Sequence, residues 1–284
     1  MEKIAVVTDT GSNLSFAQAK ELGIYLLPLQ ITIDETTYQD TLEISTQDIY
    51  NELANGKMPK TSMAAYQKIY DLFGELKKEY DTVFAIPLTN GLSTNASTMQ
   101  SIARELEMNV HVIDMYATCA LEKHVAIWIK KLVDEHKSSE EILKIIQPAI
   151  DESNSLILVK NLQHLKRGGR LTPMAAALAG LLKIYPVLHI NKSTEGRIDV
   201  LNKVRTEKRA DAYAIDKVID DIDIEHTVIY IIHSNFLEGA NHFKKCFIEK
   251  GVPEQNIHID YISSVIAVHT GLGCIAIQYI REEN

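Results

Sequence analysis

The chain has 284 residues, 46% of them hydrophobic and 24% charged, enough to bury one large core or two modest ones and too apolar for intrinsic disorder. Lys and Arg total 29 against 38 Asp and Glu, a net charge of −9. This excludes a general binder of the nucleic-acid backbone, which needs a cationic face, so no nucleic-acid partner is expected. No apolar stretch approaches the ~20 residues of a membrane span. The chain enters an apolar run at Ile4, which leaves no room for a signal peptide and predicts a cytoplasmic protein. Cys119, Cys246 and Cys274 are widely spaced and form no C-x-x-C pair, so neither a disulfide framework nor a thiolate zinc site is predicted.

In chain order, residues 4–7 form the first short β-branched run, and a helix is predicted to begin near Phe16. The runs 83–86, 110–113 and 156–159 share that character, and all four read as buried parallel strands. Between them, 63–80, 94–108 and 118–135 carry helical spacing. Ile69, Leu72, Phe73 and Leu76, for example, fall at i, i+3, i+4 and i+7. This alternation predicts a parallel sheet with helices on both faces. The second half is less regular. Runs at 186–190 and 197–202 flank a polar turn and predict a hairpin. A strand at 228–233, a helix over 236–250 and a strand at 258–262 follow, and Gly271 is expected to open a final helix. The expected fold class is α/β. It comprises a three-layer, parallel-sheet N-terminal domain over residues 1–155 and a smaller α+β C-terminal domain over 156–284, with a cleft between them.

Asp9-Thr10-Gly11-Ser12 matches the tetrapeptide of aspartic proteases. Those enzymes need two such carboxylates sharing a proton, and the motif does not recur here. A strand-end turn with Ser12, Asn13 or Ser15 capping the next helix is the simpler reading, with Asp9 kept as a candidate lining residue. Lys60-Thr61-Ser62 precedes a predicted helix. Its hydroxyls either cap that helix or offer donors to an anion. The turn from Pro87 to Asn95 joins a strand to a helix and is dense in hydroxyls. It approaches a nucleophile elbow, G-x-S-x-G, but Asn95 replaces the last glycine, so an anion site suits it better.

His269-Thr270-Gly271 opens a G-x-G-x-x-A pattern, but only eight residues follow Ala276. That is too few for the second strand of a dinucleotide fold. What remains is a histidine beside a glycine-rich turn. Lys166-Arg167-Gly168-Gly169-Arg170 is the most cationic stretch, and reads either as a solvated turn or as a docking patch for an acidic partner or a phosphate. No P-loop and no H-E-x-x-H is present.

Six landmarks in order carry a resemblance over nearly the whole chain. They are Val7-Thr8-Asp9-Thr10, Lys60-Thr61-Ser62, Gly91-Leu92-Ser93, Val112-Ile113-Asp114, Gly168-Gly169-Arg170-Leu171 and His269-Thr270-Gly271. Together the chain resembles the DegV family, bacterial fatty-acid-binding proteins that serve fatty acid kinase. The resemblance implies one long-chain fatty acid held between the two domains. It implies that Thr61, Ser62, Ser93 and His269 hold the carboxyl group, with Thr94 and Thr270 beside them. It further implies a lipid-binding carrier with no catalytic residue, metal or cofactor of its own. A separate fatty acid kinase subunit would form the acyl phosphate for phospholipid synthesis, contacting Arg170 and Arg205. Membrane contact would be transient, for ligand exchange. The chain departs from the family pattern at Met63 and Ala64, where glutamine and proline are usual. It departs again at Thr94 in place of glycine and at Tyr185 in place of lysine. Two other readings stay open: a serine hydrolase using Ser93 and His269 with Asp114 as orienting acid, and a binding module for a non-lipid small molecule.

Overall fold

A computed structural model describes residues 2–282. The first part of the chain forms β1 (Ile4–Asp9), α1 (Phe16–Leu22), β2 (Tyr25–Leu27), β3 (Gln30–Ile33), β4 (Thr36–Gln39), α2 (Thr46–Ala54), β5 (Lys60–Ser62), α3 (Tyr66–Leu76), β6 (Thr82–Ile86), α4 (Asn95–Glu105), β7 (Val110–Val112), α5 (Ala120–Asp134) and α6 (Ser139–Glu152). The rest forms β8 (Asn154–Leu158), α7 (Leu162–Arg167), α8 (Pro173–Leu178), β9 (Tyr185–Ile190), β10 (Asp199–Val204), α9 (Glu207–Asp221), β11 (Thr227–His233), α10 (Leu237–Glu249), β12 (Ile257–Tyr261), α11 (Ser264–Thr270) and β13 (Ile275–Arg281).

Strands β2-β1-β6-β7 make a wholly parallel sheet, as the β–α–β rhythm predicts. Every residue of β1 is buried because both faces are covered. Ile4 and Val6 face the α5 and α6 side, whereas Ala5 and Val7 face α3 and α4, the two-residue period of a strand. Ser15 begins α1 with a capping box to Gln18, and Gly23 ends it in the left-handed region. A three-stranded antiparallel sheet, β4-β3-β5, packs beside this domain core.

The second large sheet has the order β10-β9-β8-β13-β11-β12. One face packs on α9 and α10, and the other faces α11 and the first sheet's helices. Two expectations fail here. The run 156–159 falls in β8, which is antiparallel to both of its neighbours, β9 and β13. Its apolar composition marks a strand buried on both faces, which does not reveal direction. Gly271 opens no helix. Gly271 and Gly273 take φ 74° and 76°, ending α11, and the chain then enters β13 between β8 and β11. Ile275, Ile277 and Tyr279 face one side of that sheet and Ala276 and Gln278 the other, the alternation of a strand. The 155/156 boundary falls inside β8.

Among the described residues, all three cysteines are free, no group of His, Cys, Asp or Glu could hold a metal ion, and no helix is long and apolar enough to cross a membrane.

Candidate functional site

Thr61, Ser62, Ser93, Thr94, Arg170, His269 and Thr270 line one cavity of about 400 Å³, together with apolar residues such as Leu88, Ile198, Val265 and Ile266. They arrive there by separate local devices. Lys60–Ser62 is not a helix cap: it forms β5 and pairs antiparallel with β3, while α3 begins later with no side-chain cap. Strand pairing, rather than capping, therefore presents Thr61. The Ser62 hydroxyl donates to Gln30 Oε1 at 3.1 Å.

Ser93 lies in the turn between β6 and α4, at the carboxyl end of a parallel strand, where such sheets place their sites. The turn is clamped from below. Asp9, fully buried, accepts from Leu88 N at 2.9 Å, from Asn95 Nδ2 at 2.6 Å and from Gly11 N at 2.8 Å. Burial raises the Asp9 carboxyl above its ordinary value, and pushes buried Glu122 beside it well up. Because two carboxyls this close resist double ionisation, Glu122 is the one that keeps a proton. This also disposes of a protease: the acid opposite Asp9 is Glu122 on α5, and neither reaches solvent. On the outer side, a Cβ on Gly91 would sit 2.2 Å from Gly196 in the β9–β10 hairpin. The close approach of these two backbones closes the turn against the second sheet.

His269 sits in the last turn of α11, not at the start of a helix. Its Nε2 lies 2.7 Å from Thr61 Oγ1. Burial first, then the charge of Arg170, pushes its pKa down to about 3, so the ring is neutral at physiological pH. A Cβ on Gly168 would fall 2.7 Å from His269 Nδ1, so the missing side chain at Gly168 lets the backbone press against the imidazole. The chain then turns inward. Arg170 donates through Nη1 to Gly168 O at 2.5 Å and through Nε to Leu92 O at 3.4 Å. Arg170 is the sole charged side chain among the described residues lining the cavity. Lys166, Arg167 and Arg205 are exposed and do not line it. The inward turn of Arg170 escaped sequence reading, because a basic run beside two glycines looks the same whichever way its last residue points.

Thr270 is less available than its hydroxyl suggests, since it donates back to Ile266 O at 3.3 Å within its own helix. Two departures from the family pattern meet: the Met63 sulfur accepts from Thr94 Oγ1 at 3.5 Å and from Thr98 Oγ1 at 3.3 Å. Ser93 Oγ accepts from Asn95 N at 3.2 Å, leaving its proton unengaged. The hydrolase arrangement is not assembled. His269 Nε2 is paired with Thr61 rather than Ser93, and the Asp114 carboxylate is occupied by Asn90 N and Tyr116 N at 3.0 and 2.8 Å. A nucleophilic serine needs its base within hydrogen-bond reach and that base oriented by the acid. A larger cleft, about 530 Å³ between the starts of α9 and α10, shares no lining residue with this site.

The lining is amphipathic: hydroxyls, a neutral imidazole and one guanidinium share it with aliphatic side chains. Known proteins resemble this chain from end to end. The model of the DegV family, described as uncharacterised proteins, matches residues 3–282. A DegV domain-containing protein of Halalkalibacterium halodurans is 32% identical over 289 aligned residues, covering 100% of both chains. A fatty acid binding DegV family protein from Streptococcus agalactiae superposes with a TM-score of 0.91 at 29% identity over 100% of both chains. DegV from Bacillus subtilis, described as a fatty acid binding protein, gives 0.87 at 26% identity over 99% of this chain and 100% of that one. The chain belongs to the DegV family.

Proposed function

We propose that this protein is a cytoplasmic carrier that binds one long-chain fatty acid. The carboxyl group lies among Thr61, Ser62, Ser93, Thr94, His269 and Thr270, and the tail runs inward past Ile266. The observation that carries this reading is the cavity itself, whose lining brings hydroxyls, a neutral imidazole and one guanidinium together with aliphatic side chains. Solved relatives described as fatty acid binding support it. The size falls within the range of small-molecule pockets, roughly 300–1,000 Å³.

The physical division of labour follows from magnitudes. Each tail CH₂ removed from water contributes ~0.8 kcal/mol, so a dozen supply roughly 10 kcal/mol before the cost of immobilisation. A carboxylate buried without partners would cancel much of that. With Nε2 protonated, His269 donates to Thr61 and frees the Thr61 proton for the ligand, beside the unengaged Ser93 proton. Arg170 adds the positive charge that neutral hydroxyls lack.

Ser62 and Thr94 are exposed at the cavity mouth, which supports a carboxyl group held where a partner can reach it. That partner is a fatty acid kinase subunit supplying ATP and magnesium, with Arg170 acting from the cavity wall and Arg205 from the surface. The exposed side chains of Met174, Leu181, Leu182 and Tyr185 support a brief membrane contact for ligand exchange. Titration of purified protein with palmitate tests the binding step: saturation at one ligand per chain is expected, and no heat or displacement signal rejects it. Acyl phosphate should form only when kinase and ATP are added, and its formation without kinase would contradict the carrier role.

A further inference from the structure

The face of the six-stranded sheet turned toward α11 carries two rows of side chains fixed by strand register. Leu188, Ile157, Ala276 and Ile232 lie side by side across β9, β8, β13 and β11. The next row, two residues along each strand, is Ile190, Ser155, Gln278 and Tyr230. A narrow slot of about 20 Å³ lies over these rows, walled by Ile157, Ile232, Ile262, Cys274 and Ala276. Ile266 and Thr270 of α11 line both this slot and the head-group cavity. The slot and that cavity therefore meet at these two residues.

Its far end is polar and fully occupied. Gln278, 1% exposed, accepts from Ala120 N at 3.0 Å and donates to Thr118 O at 2.9 Å and to Ser155 Oγ at 3.0 Å. One amide thereby satisfies the first N–H of α5, a helix with no side-chain cap of its own, and locks β13 to β8.

We propose that Gln278, held by Ser155 and Thr118, is the end-stop of the acyl channel and sets the longest tail this protein accepts. This inference rests on the fatty-acid reading above. A tail entering past Ile266 gains about fourfold in affinity per methylene along the apolar row. Pushing further means prising Gln278 from its partners, and each buried amide or hydroxyl left unpaired costs about 5- to 150-fold. One more methylene does not repay that. Tails too long for the channel must leave carbons at the mouth instead. Admitting any tail requires the isoleucines of the slot to rotate, whereas the Gln278 lock stays in place.

The test is a chain-length profile: competition binding of saturated fatty acids from about 12 to about 20 carbons to the purified full chain, in steps of two. Wild type should gain affinity with length up to a limit and then level off. Ala276→Leu, which fills the row just before the lock, should lower that limit by about two methylenes. Gln278→Ala should raise it, with circular dichroism confirming that the variant folds. Folded variants that leave the wild-type limit unmoved overturn the end-stop while leaving the carrier intact. Should Gln278→Ala fail to fold, Ala276→Leu decides alone, and an unmoved limit rejects the proposal. Failure of wild type to bind any acid of the series instead overturns the fatty-acid reading, and the end-stop with it.

Discussion

The two ends of the proposed ligand path are built in opposite ways. The head end collects Thr61 from β5, Ser93 from the turn before α4 and His269 from α11, and each depends on its own support: strand pairing, the Asp9 clamp and the glycine contact at Gly168. The tail end is floored by a single sheet face whose rows follow from register alone. A site assembled from separate segments relies on a few distances and loses function when one support moves. A sheet face needs only volume and dryness, so it tolerates exchange of one aliphatic residue for another.

Removing donors should break the comparison most sharply. Ser93→Ala combined with His269→Ala leaves the carboxylate underpaired and should weaken palmitate binding by about 3 kcal/mol, roughly a hundredfold, read by calorimetric titration. Ile157→Val at the tail end should cost less than ~1 kcal/mol of affinity by the same measurement. Equal losses at both ends would remove the distinction.

The helix that carries His269 also bears a cost in stability at its start. Asp40 is buried beneath the start of α11, where Ser264 donates to it, and burial pushes its pKa up to about 6. Between about pH 4 and pH 6 its folded carboxyl therefore holds a proton that the unfolded chain has released. Stability from this group is full below the unfolded value near 4 and declines as pH rises through about 6, by roughly 1–3 kcal/mol. Asp40→Asn should lack that decline, so the difference between variant and wild-type urea unfolding curves should grow from pH 4 to pH 7. A constant difference would show that Asp40 does not titrate in this range.

Gly168→Val should act chiefly through the imidazole, with a lesser contact on the Leu165 carbonyl. A branched side chain at a point 2.7 Å from His269 Nδ1 must displace the ring from Thr61, with an expected loss of about tenfold in palmitate affinity, ~1.4 kcal/mol. Arg205→Ala, just past the end of β10, is the smallest: ligand affinity should stay within a factor of about two, while acyl phosphate formation by the kinase should slow. A change in affinity would place Arg205 at the cavity instead.

Much of this molecule was legible in its sequence, for reasons that are local. The runs at 4–7 and 83–86 announce a parallel sheet because strands covered on both faces are continuously apolar, whereas 110–113, interrupted by His111, forms its half-buried edge. The hydroxyl-rich turn before α4 is visible because a strand end and a helix start flank it. Strand direction at β8 was not legible, since it depends on β9 and β13, which lie 27 and more residues further along the chain. The run 275–281 was misread because Gly271 is equally suited to end a helix or precede one, and only pairing with β8 and β11 decides. Lys60–Ser62 does precede a helix, but its sequence reads as a cap for that helix for want of any local sign that β3 claims it. The Gln278 lock left no motif at all. A glutamine in a β-branched run gives no hint that it caps a helix more than 150 residues earlier in the chain, Ala120.

The most direct test of the central claim is to denature protein purified without added lipid and identify the released molecules by mass spectrometry, for wild type and for Ser93→Ala, His269→Ala. The account predicts a long-chain fatty acid near one per chain from wild type and far less from the double variant. A wild-type protein that releases no acyl chain and takes none up when palmitate is supplied would contradict it.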